Sequence, residues 1–159
     1  MKTRDLRTLV GLSAGLGLVV ALFATAEYYD VALRAVCSIN AFFSCAAVDS
    51  SGKTSTLQIP DYAWGVLGFV AILVVGGMAE DRSDDDRWAY GLVVLTTAGV
   101  GLSGYLLYVE LVEIHALCLV CASDYVLVGI AWLGAIALAV RTRRGTLRDP
   151  PDEASATPS

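Results

Sequence analysis

The sequence predicts an all-α membrane protein, a bundle of four transmembrane helices with a long structured extracytoplasmic loop between helices 1 and 2. Of the 159 residues, 56% are hydrophobic and 17% are charged, which is too little polar surface for a soluble domain of this length. Each of four apolar runs is long enough to cross a hydrocarbon core of roughly 30 Å at about 1.5 Å per residue. These runs cover residues 9–26, 62–79, 88–109 and 117–140. They predict a single transmembrane domain over residues 1–140.

The distribution of basic residues predicts the orientation of these helices. Nine of the eleven Lys and Arg residues lie before the first run, between the second and third runs, or after the fourth. Arg34 and Lys53 lie in the loop after the first run, and the link 109–115 contains no basic residue. The positive-inside rule counts Lys and Arg and largely ignores acids, so we expect a cell-membrane protein with both termini in the cytoplasm. The net charge of −5 argues against a nucleic-acid partner.

The first apolar run has a second interpretation. The stretch KTRDLR, the apolar residues after it and ATA before Glu27 also resemble a signal peptide with an A-x-A cleavage site. The run is longer than the usual apolar region of a signal peptide, and cleavage would leave an odd number of spans. We therefore expect this segment to be retained as the first span.

The loop 27–61 is the longest link between two predicted spans. A long segment in a compact protein is usually functional or disordered. This one contains two cysteines and the aromatic pair Phe42 and Phe43, which favour a structured cap on the membrane surface. The stretch IPDYAWG predicts the start of the second span, with Asp61 as its N-cap. The tail 141–159 has no apolar periodicity and is expected to be a disordered cytoplasmic segment.

Small residues recur at a spacing of four in two of the predicted spans. Gly11 and Gly15 form a G-x-x-x-G pair, and Gly99 and Ser103 form a second pair of small residues. This spacing lets the backbones of neighbouring helices approach closely. We therefore expect both pairs to lie at helix–helix contacts within the bundle.

The four cysteines of the chain carry the chemistry that the sequence predicts. Cys37 and Cys45 lie in the long loop, and Cys118 and Cys121 form a C-x-x-C motif at the start of the fourth span. The expected orientation places all four on the extracytoplasmic side, where disulfides persist. The N-terminus of a helix favours a thiolate through its unpaired N–H groups. The position of the C-x-x-C motif therefore predicts reactive thiols.

Three interpretations of the cysteines are open from the residues alone. They could form structural disulfides that brace a membrane scaffold without catalytic activity. They could bind zinc, although the seven residues between Cys37 and Cys45 are a wide spacing for half of a zinc site. They could also form two redox pairs and need no metal. In that case the loop pair would exchange with soluble proteins, and the pair at the membrane edge would exchange with a lipid-soluble electron carrier such as a quinone.

The order of these motifs resembles the vitamin K epoxide reductase family, in its bacterial and archaeal disulfide-forming branch. The resemblance rests on CSINAFFSCAAVDSS, IPDYAWG and CLVCASDY, and it covers residues 9–140, nearly the whole region of the spans. It implies a thiol:quinone oxidoreductase that reoxidises a separate thioredoxin-fold partner outside the cytoplasm and reduces a quinone in the lipid bilayer. An alternative within the family is reduction of a quinone or of vitamin K epoxide for its own recycling.

The resemblance also implies a role for each cysteine. Cys37 would exchange with the thioredoxin-fold partner, and Cys45 would carry electrons from Cys37 to Cys118. Cys121 would be the thiol that faces the quinone. The four cysteines would then act as a relay of two disulfides.

Three further residues are implied to contact the quinone. Ser51 matches a loop Ser or Thr that lines the site, and Tyr125 matches a tyrosine that bonds a quinone oxygen. Asp61 stands where the family usually has an Asn in that role, and an aspartate could donate a hydrogen bond only in its protonated form. Asp124 is a further acid, roughly two turns into a span, and it could either face the site or turn outward to the membrane surface.

Overall fold

The computed structural model describes residues 3–30, 32–33, 39–40, 42–51, 55–56, 59–81 and 86–148. Its four long helices are α1 (Thr3–Tyr29), α3 (Asp61–Asp81), α4 (Asp86–Tyr108) and α5 (Leu119–Arg148). Between α1 and α3 lie a short helix, α2 (Cys45–Ser50), and two short strands, β1 (Ser55–Thr56) and β2 (Ile59–Pro60), which pair antiparallel.

The four long helices confirm the predicted spans. Within the described residues, four helical segments are long and apolar enough to cross a membrane. The third of them is longer than predicted, because α4 continues after Tyr108 as a π-helical segment, Val109–Ile114. Most of the predicted link 109–115 is therefore helical, and residues 115–118 alone connect the π-helical segment to α5.

The last helix also extends beyond its predicted end. Residues 141–148 belong to α5, although we expected the disordered tail to begin at residue 141. Four of the eight residues in the segment RTRRGTLR are Arg, a good helix former, so the helix can continue after the apolar run ends. Pro150 and Pro151 follow, and proline disfavours a helix at the residue before it. Residues 149–159 lie outside the described part of the chain.

The four long helices pack as a ring, because α1 lies against α3 and α5, and α4 lies against the same two helices. The core where they meet is formed mainly by small and branched apolar side chains, among them Val10, Ala14, Ala21, Ile72, Leu92, Val128 and Ala135. The outward faces are also apolar, and their most exposed members include Leu12, Val19, Val94, Val126 and Leu133. An apolar surface all round a bundle is typical of helices surrounded by lipid.

On α1, the close contact with a neighbouring helix lies at a different glycine from the two that the sequence predicts. A Cβ on Gly11 or Gly15 would meet nothing within 4 Å, so the prediction for the G-x-x-x-G pair is wrong. The contact face of α1 carries Gly17 instead, where a Cβ would lie 2.3 Å from the ring of Phe69. The reason is rotational: residues 10, 14, 17 and 21 form the buried stripe of α1, and Gly11 and Gly15 lie further round the helix. Gly99 does pack closely, since its Cβ would lie 2.9 Å from Val128.

The segment before α2 is joined to the segment before α5. Phe43 and Leu117 form a parallel bridge. The Leu117 N–H donates to the Phe42 carbonyl at 2.7 Å, and the Ser44 N–H donates to the Leu117 carbonyl at 3.2 Å. These bonds hold the start of α2 beside the start of α5.

A second set of contacts ties α2 to the other helices. The hydroxyl of Tyr62, on the first turn of α3, donates a hydrogen bond to the Asp49 carboxylate of α2. The ring of Tyr62 also lies 6.1 Å, centroid to centroid, from that of Tyr28 near the end of α1. The same end of the bundle therefore holds the end of α1, the short helix and the starts of α3 and α5.

Candidate functional site

Cys45 is the first residue of α2. The helix begins there because the Ser44 hydroxyl accepts the Ala47 N–H at 3.2 Å and caps the first turn. Cys45 is buried, with 1% of its surface exposed, and it is disulfide-bonded. Cys37, the other predicted loop cysteine, lies outside the described residues, so its role stays a prediction.

The two cysteines of the C-x-x-C motif are free thiols, and both are buried. Cys118 precedes the first residue of α5, and its carbonyl accepts the Ala122 N–H at 2.9 Å. Its sulfur accepts the Cys121 N–H at 3.4 Å, as a capping side chain does at a helix N-terminus. The structure therefore places the motif at the helix start, where the sequence predicts it.

The sulfur atoms of Cys45 and Cys118 lie 3.1 Å apart. One belongs to a disulfide and the other is a free thiol, and thiol–disulfide exchange requires this approach of a thiolate sulfur to a disulfide sulfur. Cys121 lies on the next turn, with its N–H directed at the Cys118 sulfur. Cys118 thus contacts Cys45 on one side and Cys121 on the other.

A cavity of about 390 Å³ lies between α3, α4 and α5, and Cys121 is part of its wall. This volume falls in the usual range of small-molecule sites. Most of the wall is apolar, with side chains that include Leu67, Phe69, Ile72, Leu95, Leu102, Leu106 and Val128. Its polar members include Asp61, Tyr62, Trp64, Ser103, Glu110, Asp124 and Tyr125. The cavity therefore combines a large apolar surface with a few polar groups beside the Cys121 thiol.

Two of the three predicted quinone contacts lie in this cavity. Asp61 is the first residue of α3 and is 7% exposed. Tyr125 lies one turn after Cys121, but its hydroxyl donates to the Glu110 carboxylate, with 2.6 Å between the oxygens. In this arrangement the Tyr125 hydroxyl proton is donated to Glu110, so the hydroxyl oxygen can only accept a hydrogen bond from a ligand.

The third predicted contact, Ser51, does not line the cavity. It follows α2, and its hydroxyl donates to the Val48 carbonyl at 2.7 Å. A serine just after a short helix can bond back to a carbonyl of the last turn, and here that bond directs the hydroxyl toward α2.

Glu110 is the main residue that the sequence analysis missed. It is 1% exposed, and its second carboxylate oxygen accepts the Cys118 N–H at 3.1 Å. His115 ends the π-helical segment in the left-handed conformation, with φ of 57°, and the chain then turns back so that the Ala116 N–H reaches the Glu110 carbonyl at 3.1 Å. The available signal was an acid at the edge of an apolar run, eight residues before the C-x-x-C motif, in a stretch interpreted as a link.

Two further polar atoms in the cavity wall are buried and lack a hydrogen-bond partner in the described part of the chain. They are Oδ1 of Asp124 and Nε1 of Trp64. Of the two positions left open for Asp124, the structure shows the one that faces the cavity. Together the two residues offer a polar ligand one acceptor and one donor. Trp64 carried no signal in the sequence, because a tryptophan near a predicted helix end is a common anchor at the membrane surface.

No group of three or more His, Cys, Asp or Glu side chains is arranged to hold a metal ion within the described ranges. A disulfide-bonded Cys45 also has no thiolate to offer a zinc ion. The described cysteines bring a disulfide sulfur and a free thiol into contact beside an apolar cavity, which is the arrangement that sulfur redox chemistry needs.

Comparison with known families agrees with this chemistry. Residues 8–138 match the sequence profile of the vitamin K epoxide reductase family. This range contains all four cysteines, the whole of α3 and α4, and most of α1 and α5. Membership implies a multi-pass membrane oxidoreductase that acts on quinones or on vitamin K. The protein described here belongs to the vitamin K epoxide reductase family.

Proposed function

We propose that this protein is a thiol:quinone oxidoreductase of the disulfide-forming branch of the family. It takes electrons from the dithiol of a separate thioredoxin-fold protein outside the cytoplasm and passes them to a membrane quinone. The observation that carries the proposal is the 3.1 Å contact between the sulfurs of Cys45 and Cys118, next to a cavity that Cys121 helps to line.

The relay begins in the loop. The partner reduces a loop disulfide formed by Cys37 and Cys45, and the Cys45 thiolate then attacks Cys118 in a Cys118–Cys121 disulfide. Attack forms a Cys45–Cys118 bond and releases Cys121 as a thiolate. Cys37 then attacks Cys45, which re-forms the loop disulfide and leaves Cys118 and Cys121 reduced.

The described arrangement fits the product of this transfer, because Cys45 is in a disulfide and both C-x-x-C residues are free thiols. The next step is oxidation of the two thiols to a disulfide, with two electrons and two protons passing to the quinone. The apolar wall of the cavity accommodates the ring and the start of an apolar tail. Asp61 and Tyr125 lie where they can bond an oxygen of the quinone or quinol.

The proposed orientation has both termini in the cytoplasm and the cysteines on the opposite side. It is supported by the nine-to-two division of basic residues. Cys45, Cys118 and Cys121 belong to the same buried cluster, so these three residues share one side of the membrane in any orientation. An oxidising compartment is the side on which a disulfide relay can donate oxidising equivalents.

The direct test is a reconstituted reaction. Purified protein is mixed with a quinone and either a reduced thioredoxin-fold protein or a small dithiol, and quinone absorbance is followed. We expect Cys37→Ser to abolish turnover with the protein partner while largely keeping turnover with the small dithiol. Cys121→Ser should abolish both, and Ser123→Ala, at an exposed position on the same turn, should change neither.

The controls separate this function from the alternatives. Equal loss of the small-dithiol reaction in Cys37→Ser and Cys121→Ser would contradict the division of roles. A protein that reduces vitamin K epoxide but leaves the thioredoxin-fold partner reduced would belong to the quinone-recycling type. No reaction with any thiol donor would favour a scaffold braced by disulfides.

A further inference from the structure

The side chain of Glu110 connects the reactive thiols to Tyr125. One carboxylate oxygen accepts the Tyr125 hydroxyl at 2.6 Å, and the other accepts the Cys118 N–H at 3.1 Å. Glu110 also lines the same cavity as Cys121. A single buried acid therefore contacts the backbone of Cys118 and a tyrosine in the cavity wall, on the cavity that the Cys121 thiol also lines.

We propose that Glu110 is the proton relay of this site, taking the proton of the Cys121 thiol and returning it through the Tyr125 hydroxyl to an oxygen of the quinone. The inference rests on the proposed function, since it needs a quinone in the cavity. The relay accounts for the hydrogen bond between Tyr125 and Glu110. A direct hydrogen bond from Tyr125 to the quinone would leave that bond without a role.

The reaction balances with this relay. Two electrons leave the sulfurs of Cys118 and Cys121 as the bond between them forms, and these electrons reduce the quinone to the quinol. Both S–H bonds break and two O–H bonds form. The Cys121 proton passes to Glu110, while Tyr125 gives its own proton to the quinone oxygen and takes one from Glu110. The Cys118 proton supplies the second O–H bond, so Glu110 and Tyr125 end as they began.

The position of Glu110, bonded to the Cys118 backbone and to Tyr125, favours it as the relay over His115. A general base must reach the proton that it removes directly or through one water. Glu110 lies beside the motif, because its carboxylate accepts the Cys118 N–H and it lines the same cavity as Cys121. His115, the single histidine of the chain, is exposed and does not line the cavity. The remaining titratable groups that face the cavity alongside Glu110 and Cys121 are Asp61 and Tyr62 of α3 and Asp124 and Tyr125 of α5.

The test uses a single turnover of full-length protein. The C-x-x-C thiols are first reduced, excess reductant is removed, and a quinone is added while its absorbance is followed between pH 6 and 9. Glu110→Gln removes the proton-accepting group and keeps the size of the side chain. We expect it to slow quinone reduction roughly a hundredfold near neutral pH, with little change in the quinone concentration that gives half the maximal rate.

The pH profile separates a relay from a residue that only positions Cys118. Without Glu110 the thiol must lose its proton to solvent, so the rate of Glu110→Gln should rise steeply with pH and approach the wild-type rate in alkali. A positioning role would lower the rate by the same factor at every pH. Glu113→Gln, on the exposed side of the same π-helical segment, should behave as wild type.

A double variant tests the path through Tyr125. If both residues belong to one relay, Glu110→Gln combined with Tyr125→Phe should be no slower than the slower single variant. Multiplication of the two defects would overturn the relay, and so would a Glu110→Gln rate within twofold of wild type. If the thiols of the wild-type protein do not reduce the quinone at all, the proposed function fails and the relay fails with it. If the wild-type protein reduces the quinone and Glu110→Gln does so at the same rate, the relay alone is overturned.

Discussion

At the scale of single residues, the chemistry of the site depends on which cysteine sulfurs lie in contact. Cys118 contacts Cys45 at 3.1 Å and accepts the Cys121 N–H at 3.4 Å, so it can bond to either cysteine with small side-chain movements. Cys121, by contrast, lies in the cavity wall. This arrangement supports the proposed roles, in which Cys118 exchanges with the loop cysteine and Cys121 reacts with the quinone.

The first residue-scale prediction concerns a trapped intermediate. Cys121→Ser removes the thiol that can resolve the bond between Cys45 and Cys118 by attacking Cys118, and it leaves only Cys37, which attacks Cys45. This mixed disulfide should therefore accumulate above its wild-type amount. Mass spectrometry of peptides from protein whose free thiols have been alkylated would detect it. Cys118→Ser is the matched control and should not form a Cys45–Cys121 bond in comparable amount. A dominant Cys45–Cys121 bond would reverse the assignment.

The second residue-scale prediction concerns the Tyr125 hydroxyl. Tyr125→Phe keeps the ring and removes the hydroxyl that donates to Glu110, and loss of one partner of a buried hydrogen bond costs about 1–3 kcal/mol. We expect kcat/KM for the quinone to fall roughly tenfold or more, since 1.4 kcal/mol is a factor of ten. Tyr105→Phe, which changes a tyrosine that is 61% exposed, is the control. Wild-type kinetics at limiting quinone would show that the Tyr125 hydroxyl takes no part.

At the scale of secondary-structure elements, the bundle is held by close contacts between specific helix faces. Gly17 lets α1 approach Phe69 of α3, because a Cβ at that position would lie 2.3 Å from the phenylalanine ring. Contacts of this kind set the distance between two helices in a membrane, where no hydrophobic driving force draws helices together. The spacing of α1 and α3 in turn fixes where Asp61 lies.

The corresponding prediction compares two glycines of α1. Gly17→Ala should force Phe69 or the helix to move and destabilise the bundle by about 1–3 kcal/mol, the usual cost of overpacking a core. Gly11→Ala should be neutral or slightly stabilising, because its Cβ would meet nothing within 4 Å and alanine favours a helix. Thermal unfolding in detergent measures both. Equal stability of the two variants would show that Phe69 yields without cost.

The long helices were largely predictable from the sequence, but the contacts of Glu110 within the site were not. The four spans follow from the lengths of the apolar runs, since a run long enough to cross a membrane has few other uses. The C-x-x-C motif likewise identifies itself by spacing. Glu110 could not be found in this way, because its contacts with Cys118 and Tyr125 depend on the π-helical segment and on the left-handed turn at His115. Neither the π-helical segment nor the left-handed turn has a residue pattern that can be recognised in a single sequence.

The small residues of α1 show a related limit. The spacing of Gly11 and Gly15 fits close packing as well as that of any pair in the chain, yet the buried stripe of α1 includes Gly17 and neither of these two. Spacing identifies which residues share a face, but it does not say which face meets the neighbour. That choice depends on Phe69 and the other side chains of the facing helix.

At the scale of the whole molecule, the described cysteines are gathered at one end of the bundle. Cys45, Cys118 and Cys121 lie at the end that holds the starts of α3 and α5, and most basic residues lie at the other end. In the proposed function, electrons would therefore enter the protein on one side of the membrane only.

The whole-molecule prediction is therefore topological. In a variant without native cysteines, a single Cys replaces either Ile39, which is 70% exposed in the loop segment, or Thr3 at the start of α1. A membrane-impermeant thiol reagent applied to intact cells should label the Ile39→Cys protein, and it should label the Thr3→Cys protein only after permeabilisation. The opposite pattern would reverse the proposed orientation of the protein.

The bridge between Phe43 and Leu117 has a kinetic consequence. Because it fixes the chain on both sides of the reaction, Cys45 and Cys118 never have to find each other by diffusion. In the proposed relay, exchange between them is a first-order process, and well-oriented groups of this kind can reach effective concentrations of about 10⁵ M or more. Its rate is therefore independent of how many copies of the protein a membrane holds. Only the encounters with the soluble partner and with the quinone depend on abundance.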